Sequence, residues 1–231
     1  MNTSSDWTNE TRTKLYCENC MDVLPRLPKV DCLIADIPYG EVNGHRNGLR
    51  RMDKGLADEV TFDLKEFLPL VDRLVTGSVY IFCGHQQISP IVSFLRERDY
   101  RTRLLTWEKT NPCPLNGQYF WLSGTEMICF GKRAGATYNG HCRSSVLRYP
   151  RSGNRSGHPT EKPVALLKDL IETSTNPGDL VLDPCMGSGS TGVAAALANR
   201  RFIGVELHPP WYATAVERIR KAEAVLRQQA A

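Results

Sequence analysis

The chain has 231 residues, of which 41% are hydrophobic, and a formal net charge of +4 at pH 7. This is enough apolar material for one globular domain of ordinary size. No apolar run reaches the roughly 18 residues that a membrane-spanning helix needs, and the polar start MNTSSDWTNETRTK lacks the apolar core of a signal peptide. We therefore expect a soluble, cytoplasmic protein.

Short β-branched or apolar runs alternate with helical patterns along the chain. This alternation predicts an α/β fold with a mostly parallel sheet that helices cover on both faces. The predicted strands are 31–35, 78–83, 103–107, 126–131, 179–183 and 201–207. The predicted helices are 63–75, 88–99, 164–174 and 191–200, followed by a last helix from Trp211 onward.

Two stretches do not fit this alternation: residues 41–58, and residues 110–160 apart from the strand at 126–131. Between Gly131 and Gly157 the second stretch has six cationic residues and no Asp or Glu. A solvated loop usually mixes both signs of charge, so this segment predicts a surface that faces anions. We interpret it as an insert on the rim of the sheet, at about 110–157, within one domain that spans 1–231.

The eight cysteines are scattered along the chain, and only Cys17 and Cys20 form a CxxC pair. No second pair of ligands stands at the spacing of a zinc site. We expect reduced thiols and no metal site.

The strongest chemical signal is the stretch DLVLDPCMGSGSTGVAAALANRRFIGVEL, which predicts a strand, a glycine turn, a helix and a second strand. Gly187, Gly189 and Gly192 allow a tight turn and close approach of a ligand to the backbone. Glu206, at the end of the second strand, can accept hydrogen bonds from both hydroxyls of a ribose. A nucleoside-containing cofactor is indicated.

Three kinds of cofactor compete for this loop. An ATP-type phosphate loop would have Lys-Ser or Lys-Thr after its last glycine, and this loop has neither. A dinucleotide remains open, although such a fold usually begins at this motif, whereas most of the predicted strands here precede it. Asp183 would repel a pyrophosphate and attract the cationic amino group of S-adenosylmethionine, which we therefore favour.

The stretch DIPYG, residues 36–40, follows the predicted strand at 31–35. The carboxylate of Asp36 and the carbonyl of Ile37 can accept hydrogen bonds from both N–H groups of an exocyclic amine on a nucleobase. These hydrogen bonds would orient the lone pair of the amine. Pro38 holds Ile37 in an extended geometry, and Tyr39 offers a flat face for stacking. In isolation these residues are more typical of an ordinary turn, and it is their coincidence with the glycine loop that favours the catalytic interpretation.

Together, DIPYG and DPCMGSGSTG resemble the Asp-Pro-Pro-Tyr catalytic motif and the Asp-Pro-Phe-x-Gly-Ser-Gly-Thr cofactor motif of amino-methylating DNA methyltransferases. The order of the motifs resembles the β class of that family, and the similarity spans roughly residues 15 to 220. The resemblance implies a Rossmann-like class I methyltransferase fold and S-adenosylmethionine as cofactor. It also implies four catalytic residues: Asp36, Ile37, Pro38 and Tyr39.

The same resemblance implies the residues that contact the cofactor. LYCENCMDV resembles the opening of the family, where Asn19 stands in place of an Asp that commonly contacts the adenine. HPTEKPVALLKDLI resembles a motif near the methionine end, although Thr160 is also typical of a helix cap. The whole set comprises Asn19, Cys20, Asp36, Thr160, Lys162, Asp183, Pro184, Cys185, Gly187, Ser188, Gly189, Thr191, Glu206 and Leu207.

Two positions depart from the family pattern. Ile37 replaces the first proline of the catalytic motif, which keeps the carbonyl and loosens the backbone. Cys185 replaces the usual aromatic residue near the cofactor, so the packing around the adenine can differ.

The Asp in the catalytic motif suggests that the substrate is the exocyclic N6 of adenine in double-stranded DNA, with the target base flipped out. N4 of cytosine is the alternative base. A DNA-binding module with an inactive cofactor pocket and, more distantly, a nicotinamide oxidoreductase are the alternative functions. The resemblance also implies a homodimer.

Two cationic segments are candidate DNA contacts. The loop VNGHRNGLRRMDKG, directly after the catalytic turn, is expected to close over bound DNA through Arg46, Arg50 and Arg51. The cationic segment is expected to contact phosphates and base edges through Arg143, Arg148, Arg151 and Arg155.

Overall fold

The computed structural model describes residues 12–38, 63–114, 121–153 and 161–230. Eight strands lie within these ranges: β1 (Thr13–Tyr16), β2 (Val30–Asp36), β3 (Val75–Cys83), β4 (Arg101–Lys109), β5 (Thr125–Lys132), β6 (Val146–Tyr149), β7 (Leu180–Asp183) and β8 (Arg201–Val205). The described helices are α1 (Cys20–Val23), α2 (Leu64–Leu74), α3 (Ile88–Glu97), α4 (Val164–Ser174), α5 (Ser190–Leu197) and α6 (Pro209–Ala230).

The strands form one sheet in the order β1-β8-β7-β2-β3-β5-β4-β6. Every neighbouring pair is parallel except β3 with β5 and β5 with β4. Strand β5 is therefore the single reversed strand in this sheet. Its first residues lie at the edge where β3 and β4 end, since Met127 pairs with Cys83 and Thr125 pairs with Glu108.

Each face of the sheet has its own hydrophobic core. Leu33 and Ala35 of β2 pack with α1, α2 and α3, whereas Cys32 and Ile34 pack with α4, α5 and α6. Successive side chains of a strand point to opposite faces, so a strand that is apolar at every position is covered on both sides. This confirms the predicted α/β architecture.

The six predicted strands and five predicted helices are all present, with ends displaced by a few residues. Strands β1 and β6 and the short helix α1 were not predicted. Strand β6 lies inside the segment 110–157 that we interpreted as an insert, and it pairs with β4 in the main sheet. More of this segment therefore belongs to the main sheet than its sequence indicated. Leu147 of β6 is buried against the core.

Within the ranges that the structure describes, no helix is both long enough and apolar enough to cross a lipid bilayer.

Candidate active site

Two acidic residues are the last residues of neighbouring strands, at one edge of the sheet. Strands β2 and β7 are parallel, with Leu33 paired to Leu182, so their last residues, Asp36 and Asp183, lie at the same end. Both residues line one cleft, together with Lys162 and the backbone of the glycine turn. Parallel α/β sheets bind ligands at the carboxyl ends of their strands.

The glycine turn that follows β7 needs its glycines for two reasons. Gly187 and Gly189 have φ angles of +51° and +80°, which L-residues with a side chain rarely adopt. A Cβ on Gly189 would also lie 2.8 Å from the Cβ of Ala215. The turn therefore fits closely under α6.

Glu206 lies directly after β8 and joins that strand to the glycine turn. One carboxylate oxygen accepts a hydrogen bond from the backbone N–H of Gly187 at 2.9 Å, and the other accepts one from His208 at 2.8 Å. Each carboxylate oxygen has a second lone pair, which leaves capacity for two ribose hydroxyls. The residue is 8% exposed, so its orientation is set by these contacts.

Asp183 is buried at 3% exposure, and burial raises the pKa of its carboxyl to about 7. Hydrogen bonds from the Thr191 side chain and the Cys185 backbone act in the opposite direction but do not overcome burial. A cation beside this carboxylate would stabilise its charged form. The site therefore suits a ligand with a positive charge, such as a sulfonium or an amino group.

The turn after β2 is held by backbone hydrogen bonds. The N–H of Ile37 donates to the carbonyl of Phe82 at 3.3 Å, and the side chain of Gln87 donates to the carbonyl of Pro38 at 3.1 Å. Gln87 also accepts from the N–H of Gly84 at 2.9 Å. These contacts tie the turn to β3 and to the segment that follows it.

Lys162 contacts two carboxylates at this edge of the sheet. Its ammonium is paired with the carboxylate of Asp36 and lies 3.3 Å from Oε2 of Glu126. Burial opposes the charge, yet the two carboxylates raise the pKa of Lys162 above its ordinary value. Lys162 is therefore a permanent cation next to Asp36.

A family model described as DNA methylase, for N6 and N4 methylation, matches residues 30–217 of the chain. The chain belongs to the N6/N4 DNA methylase family. Members of this family use S-adenosylmethionine as the methyl donor, and the buried Asp183, Glu206 and the glycine turn fit that molecule.

Relatives match the methylase over nearly its full length. The type II methyltransferase M2.MboI of Moraxella bovis is 27% identical over 96% of this chain and 93% of its own. M2.DpnII of Streptococcus pneumoniae is 28% identical over 82% of each chain.

Solved structures match the methylase in fold. The complex of M1.HpyAVI with S-adenosylmethionine superposes with a TM-score of 0.71 at 30% identity, over 89% of this chain and 99% of that one. The cytosine-N4-specific PvuII methyltransferase has a TM-score of 0.70 at 15% identity, over 94% of this chain and 92% of that one. This second likeness concerns the fold alone.

Most of the remaining cofactor residues predicted for the methylase also lie at this edge. Cys185, Ser188 and Thr191 line the cleft, and buried Pro184 lies in the same turn. Cys20 is buried, and its thiol contacts that of Cys185. Leu207 is 40% exposed and directly follows Glu206.

Asn19, Tyr39 and Thr160 are three predicted site residues that are not among the described residues lining the cleft. The side chain of Asn19 caps α1, since its Oδ1 accepts from the N–H of Met21 at 3.0 Å. Tyr39 and Thr160 lie outside the described residues. The roles assigned to all three stay predictions.

The cationic residues predicted to contact DNA fall into two groups. Arg143 is paired with Asp169 and donates to Thr173 on α4, and Arg148 lies 3.1 Å from Glu108 across the sheet edge. Arg151 donates to the carbonyl of Asn111 at 3.0 Å. The second group, comprising Arg46, Arg50, Arg51 and Arg155, lies outside the described residues.

The intramolecular contacts of the first group indicate structural roles of unequal weight. Arg143 holds the segment before β6 against α4, and its side chain is 36% exposed. The side chain of Arg148 is 70% exposed, and a pair this exposed contributes only about 0–1 kcal/mol. Arg148 is therefore easily released to a phosphate.

The sequence did not point to four residues that shape the site. Gln87 holds the catalytic turn, Glu126 and Lys109 extend the ion pair of Lys162, and Arg218 contacts the glycine turn. A carboxylate at the start of a predicted strand, as at Glu126, is a signal that could have identified one of them. The other three stand outside the predicted strands and follow no local pattern.

Arg218 of α6 ties the glycine turn to the segment that carries Lys162. It donates to the carbonyl of Ser188 at 2.7 Å and to its hydroxyl at 2.8 Å. It also donates to Glu161 Oε1 at 2.6 Å, and the Glu161 side chain is only 5% exposed. Charge-assisted hydrogen bonds of this kind are among the stronger ones in proteins.

Proposed function

We propose that the protein methylates the exocyclic N6 of adenine in double-stranded DNA, at a target base that is flipped out of the helix. The family makes it a DNA methyltransferase, and the choice of base and of double-stranded substrate is the proposal. The observation that carries it is the meeting of Asp36 and Asp183 at one edge of the sheet, in one cleft. The Asp at the first position of the catalytic motif favours adenine.

Asp36 and Ile37 would orient the amine. The carboxylate of Asp36 accepts one N–H of the exocyclic amine and the carbonyl of Ile37 accepts the other, which localises the lone pair on nitrogen. The backbone contacts of Ile37 and Pro38 hold this pair of acceptors in place before the substrate arrives. Tyr39 would stack on the flipped base.

Asp183, Glu206 and the glycine turn would hold the methyl donor. S-adenosylmethionine supplies a methyl group on a cationic sulfonium, so the amine nitrogen gains the methyl carbon while the carbon–sulfur bond breaks. Asp183 would favour the cationic end of the methyl donor. Glu206 would accept hydrogen bonds from the ribose hydroxyls through the second lone pairs of its carboxylate oxygens. The extra proton on the methylated nitrogen leaves on the side where Asp36 accepts its hydrogen bond.

The DNA itself would be held by cationic residues around the cleft. We assign this role to Arg46, Arg50 and Arg51 of the loop after the catalytic turn, and to Arg148, Arg151 and Arg155 with Arg143 beside them. Changing Arg46, Arg50 and Arg51 to Ala should weaken DNA binding and reduce its salt dependence, measured by binding titrations at several salt concentrations. Binding that keeps the same affinity and salt slope would reject this assignment.

The modified base is identified by one experiment. The protein is incubated with S-adenosylmethionine labelled on the methyl group and with unmethylated double-stranded DNA, and the DNA is digested to nucleosides. Labelled N6-methyladenine is the expected product. Labelled N4-methylcytosine would overturn the choice of base, and labelling of single strands alone would overturn the choice of substrate. Sedimentation of the free protein tests whether it is a homodimer.

A further inference from the structure

Four charged side chains form a line that ends at Asp36. Lys109 Nζ lies 3.0 Å from Glu126 Oε1, and Glu126 Oε2 lies 3.3 Å from Lys162 Nζ. Lys162 in turn donates to Oδ2 of Asp36. The signs alternate along the line, and two ammonium groups and two carboxylates sum to zero charge.

The members of this line come from four separate parts of the fold. Lys109 ends β4, Glu126 is the second residue of β5, Asp36 ends β2, and Lys162 precedes α4. Because β5 is the reversed strand, its beginning lies at the edge where β2, β3 and β4 end. This reversal brings Glu126 to the ammonium of Lys162.

Burial makes the arrangement unlike a surface ion pair. The side chains of Lys109 and Lys162 are 8% and 9% exposed, and those of Glu126 and Asp36 are 21% and 26% exposed. Buried ion pairs often stabilise a fold less than apolar residues of similar volume would. Stability alone is therefore a weak reason for two ammonium groups and two carboxylates at this place.

We infer that Glu126 and Lys109 are positioning residues that set, through Lys162, how strongly Asp36 can accept a proton from the substrate amine. The inference rests on the proposed catalytic role of Asp36. Lys162 holds the carboxylate of Asp36 in one orientation, but its ammonium also competes with the amine for that carboxylate. Glu126 also pairs with the ammonium of Lys162 and so weakens the hold of that ammonium on Asp36. Lys109 pairs with Glu126 and so reduces this effect.

The electrostatic surroundings agree with this arrangement. Burial would raise the pKa of Glu126, but Lys162 and Lys109 outweigh it and hold that pKa below its ordinary value. Among the residues that the structure describes, other titratable groups that act on or respond to Asp36 include Asp183 at the end of β7 and Cys83 at the end of β3. Both remain the same in the variants below, so a change in pH dependence comes from the line itself.

The test changes the charge of the line in both directions. Lys109→Met removes a positive charge, Glu126→Gln removes a negative one, and the double variant restores the sum to zero. The matched control is Lys168→Met, which removes a lysine that is paired with Glu172 on α4 and is 37% exposed. The measurements are kcat, the pH dependence of kcat/KM for DNA at saturating S-adenosylmethionine, and KM for S-adenosylmethionine at saturating DNA.

Opposite shifts are expected from the two single variants. Lys109→Met makes Asp36 harder to ionise, so the acid limb of its profile moves to higher pH, by roughly one unit relative to the double variant. Glu126→Gln leaves the ammonium of Lys162 more strongly on Asp36, so the acid limb moves to lower pH. In this variant kcat falls about tenfold while KM for S-adenosylmethionine changes less than twofold. The control keeps the profile of the unmodified protein.

Two results would overturn the inference. One is an acid limb at the same pH in Lys109→Met and in the double variant. The other is an equal loss of kcat in all three variants at every pH, which is the signature of a packing defect.

The parent proposal is tested separately by Asp36→Asn. Full methyl transfer in that variant would reject the role of Asp36 itself. Loss of transfer in Asp36→Asn, combined with unmoved limbs in the other variants, would reject the positioning role alone.

Discussion

Asp36 and Asp183 end two adjacent parallel strands and line the same cleft, although 146 residues separate them in the chain. The pairing of Leu33 with Leu182 sets their relative height, and Lys162 lines the same cleft. The carboxylate that we propose as the acceptor for the substrate amine and the carboxylate that would favour a cation thus face one space. This relationship is what makes the two turns a single site.

The affinity for S-adenosylmethionine should depend on pH near neutrality. Burial raises the pKa of Asp183 to about 7 in the free protein, and the bound cation lowers it. Binding therefore releases a proton, and the affinity is lost as the pH falls through 7, by about tenfold between pH 8 and pH 6. Calorimetry in two buffers with different ionisation enthalpies measures both quantities.

Asp183→Asn provides the control for this pH dependence. The variant should bind more weakly at pH 8 and show no change between pH 8 and pH 6 that depends on residue 183. An affinity of the unmodified protein that is constant over this range would contradict the buried, cation-seeking role of Asp183.

Gly189→Ala should destabilise the fold more than Gly135→Ala does. Both glycines have positive φ angles, +80° and +73°, so alanine is strained at either position by about 1–2 kcal/mol. A Cβ at residue 135 meets nothing within 4 Å, whereas one at residue 189 lies 2.9 Å from the Cα of Ala215. Overpacking adds about 1–3 kcal/mol at Gly189 alone.

Denaturant unfolding of the two glycine variants measures this difference. Equal losses of the free energy of unfolding would mean that the turn and α6 separate without cost. The close contact between the glycine turn and α6 would then not contribute to the stability of the glycine turn.

Arg218→Met should weaken the binding of S-adenosylmethionine about tenfold. The change removes three hydrogen bonds to Ser188 and Glu161 and leaves the Glu161 carboxylate buried without this partner. A buried carboxylate that loses a charged partner is destabilised, so unfolding should also become easier by roughly 1–3 kcal/mol.

Arg220→Met is the matched control, because Arg220 is exposed on the same helix two residues further on. It should leave both affinity and stability within error of the unmodified protein. If Arg218→Met lowered stability without weakening the cofactor, the residue would support the fold and not the site.

Much of the fold could be predicted because its signals are local. The apolar runs of β2 and β3 and the glycine turn after β7 are each recognisable within ten residues, and parallel pairing then brings their ends together. Strands β1 and β6 have four residues each, lie at the two edges of the sheet, and are half-polar in sequence. Edge strands of this length have too little periodicity to be distinguished from loops.

The missing part of the site is non-local. Glu126 reaches Lys162 only because β5 runs against its neighbours, and no sequence pattern within β5 specifies that direction. Lys109 and Arg218 act through partners that lie 17 and 57 residues away in the chain, at Glu126 and Glu161. The resemblance pointed to the residues that we propose to contact the ligands, whereas the residues that hold those side chains in place required the folded structure.

The most direct test of the central claim separates chemistry from cofactor binding at Asp36. In Asp36→Asn, single-turnover methyl transfer to DNA should fall by about 10²–10⁴-fold, since the amine loses its anionic acceptor. The affinity for S-adenosylmethionine should stay within threefold, and Glu97→Gln, an exposed carboxylate at the end of α3, should leave both unchanged. Transfer at the unmodified rate in Asp36→Asn would contradict the account.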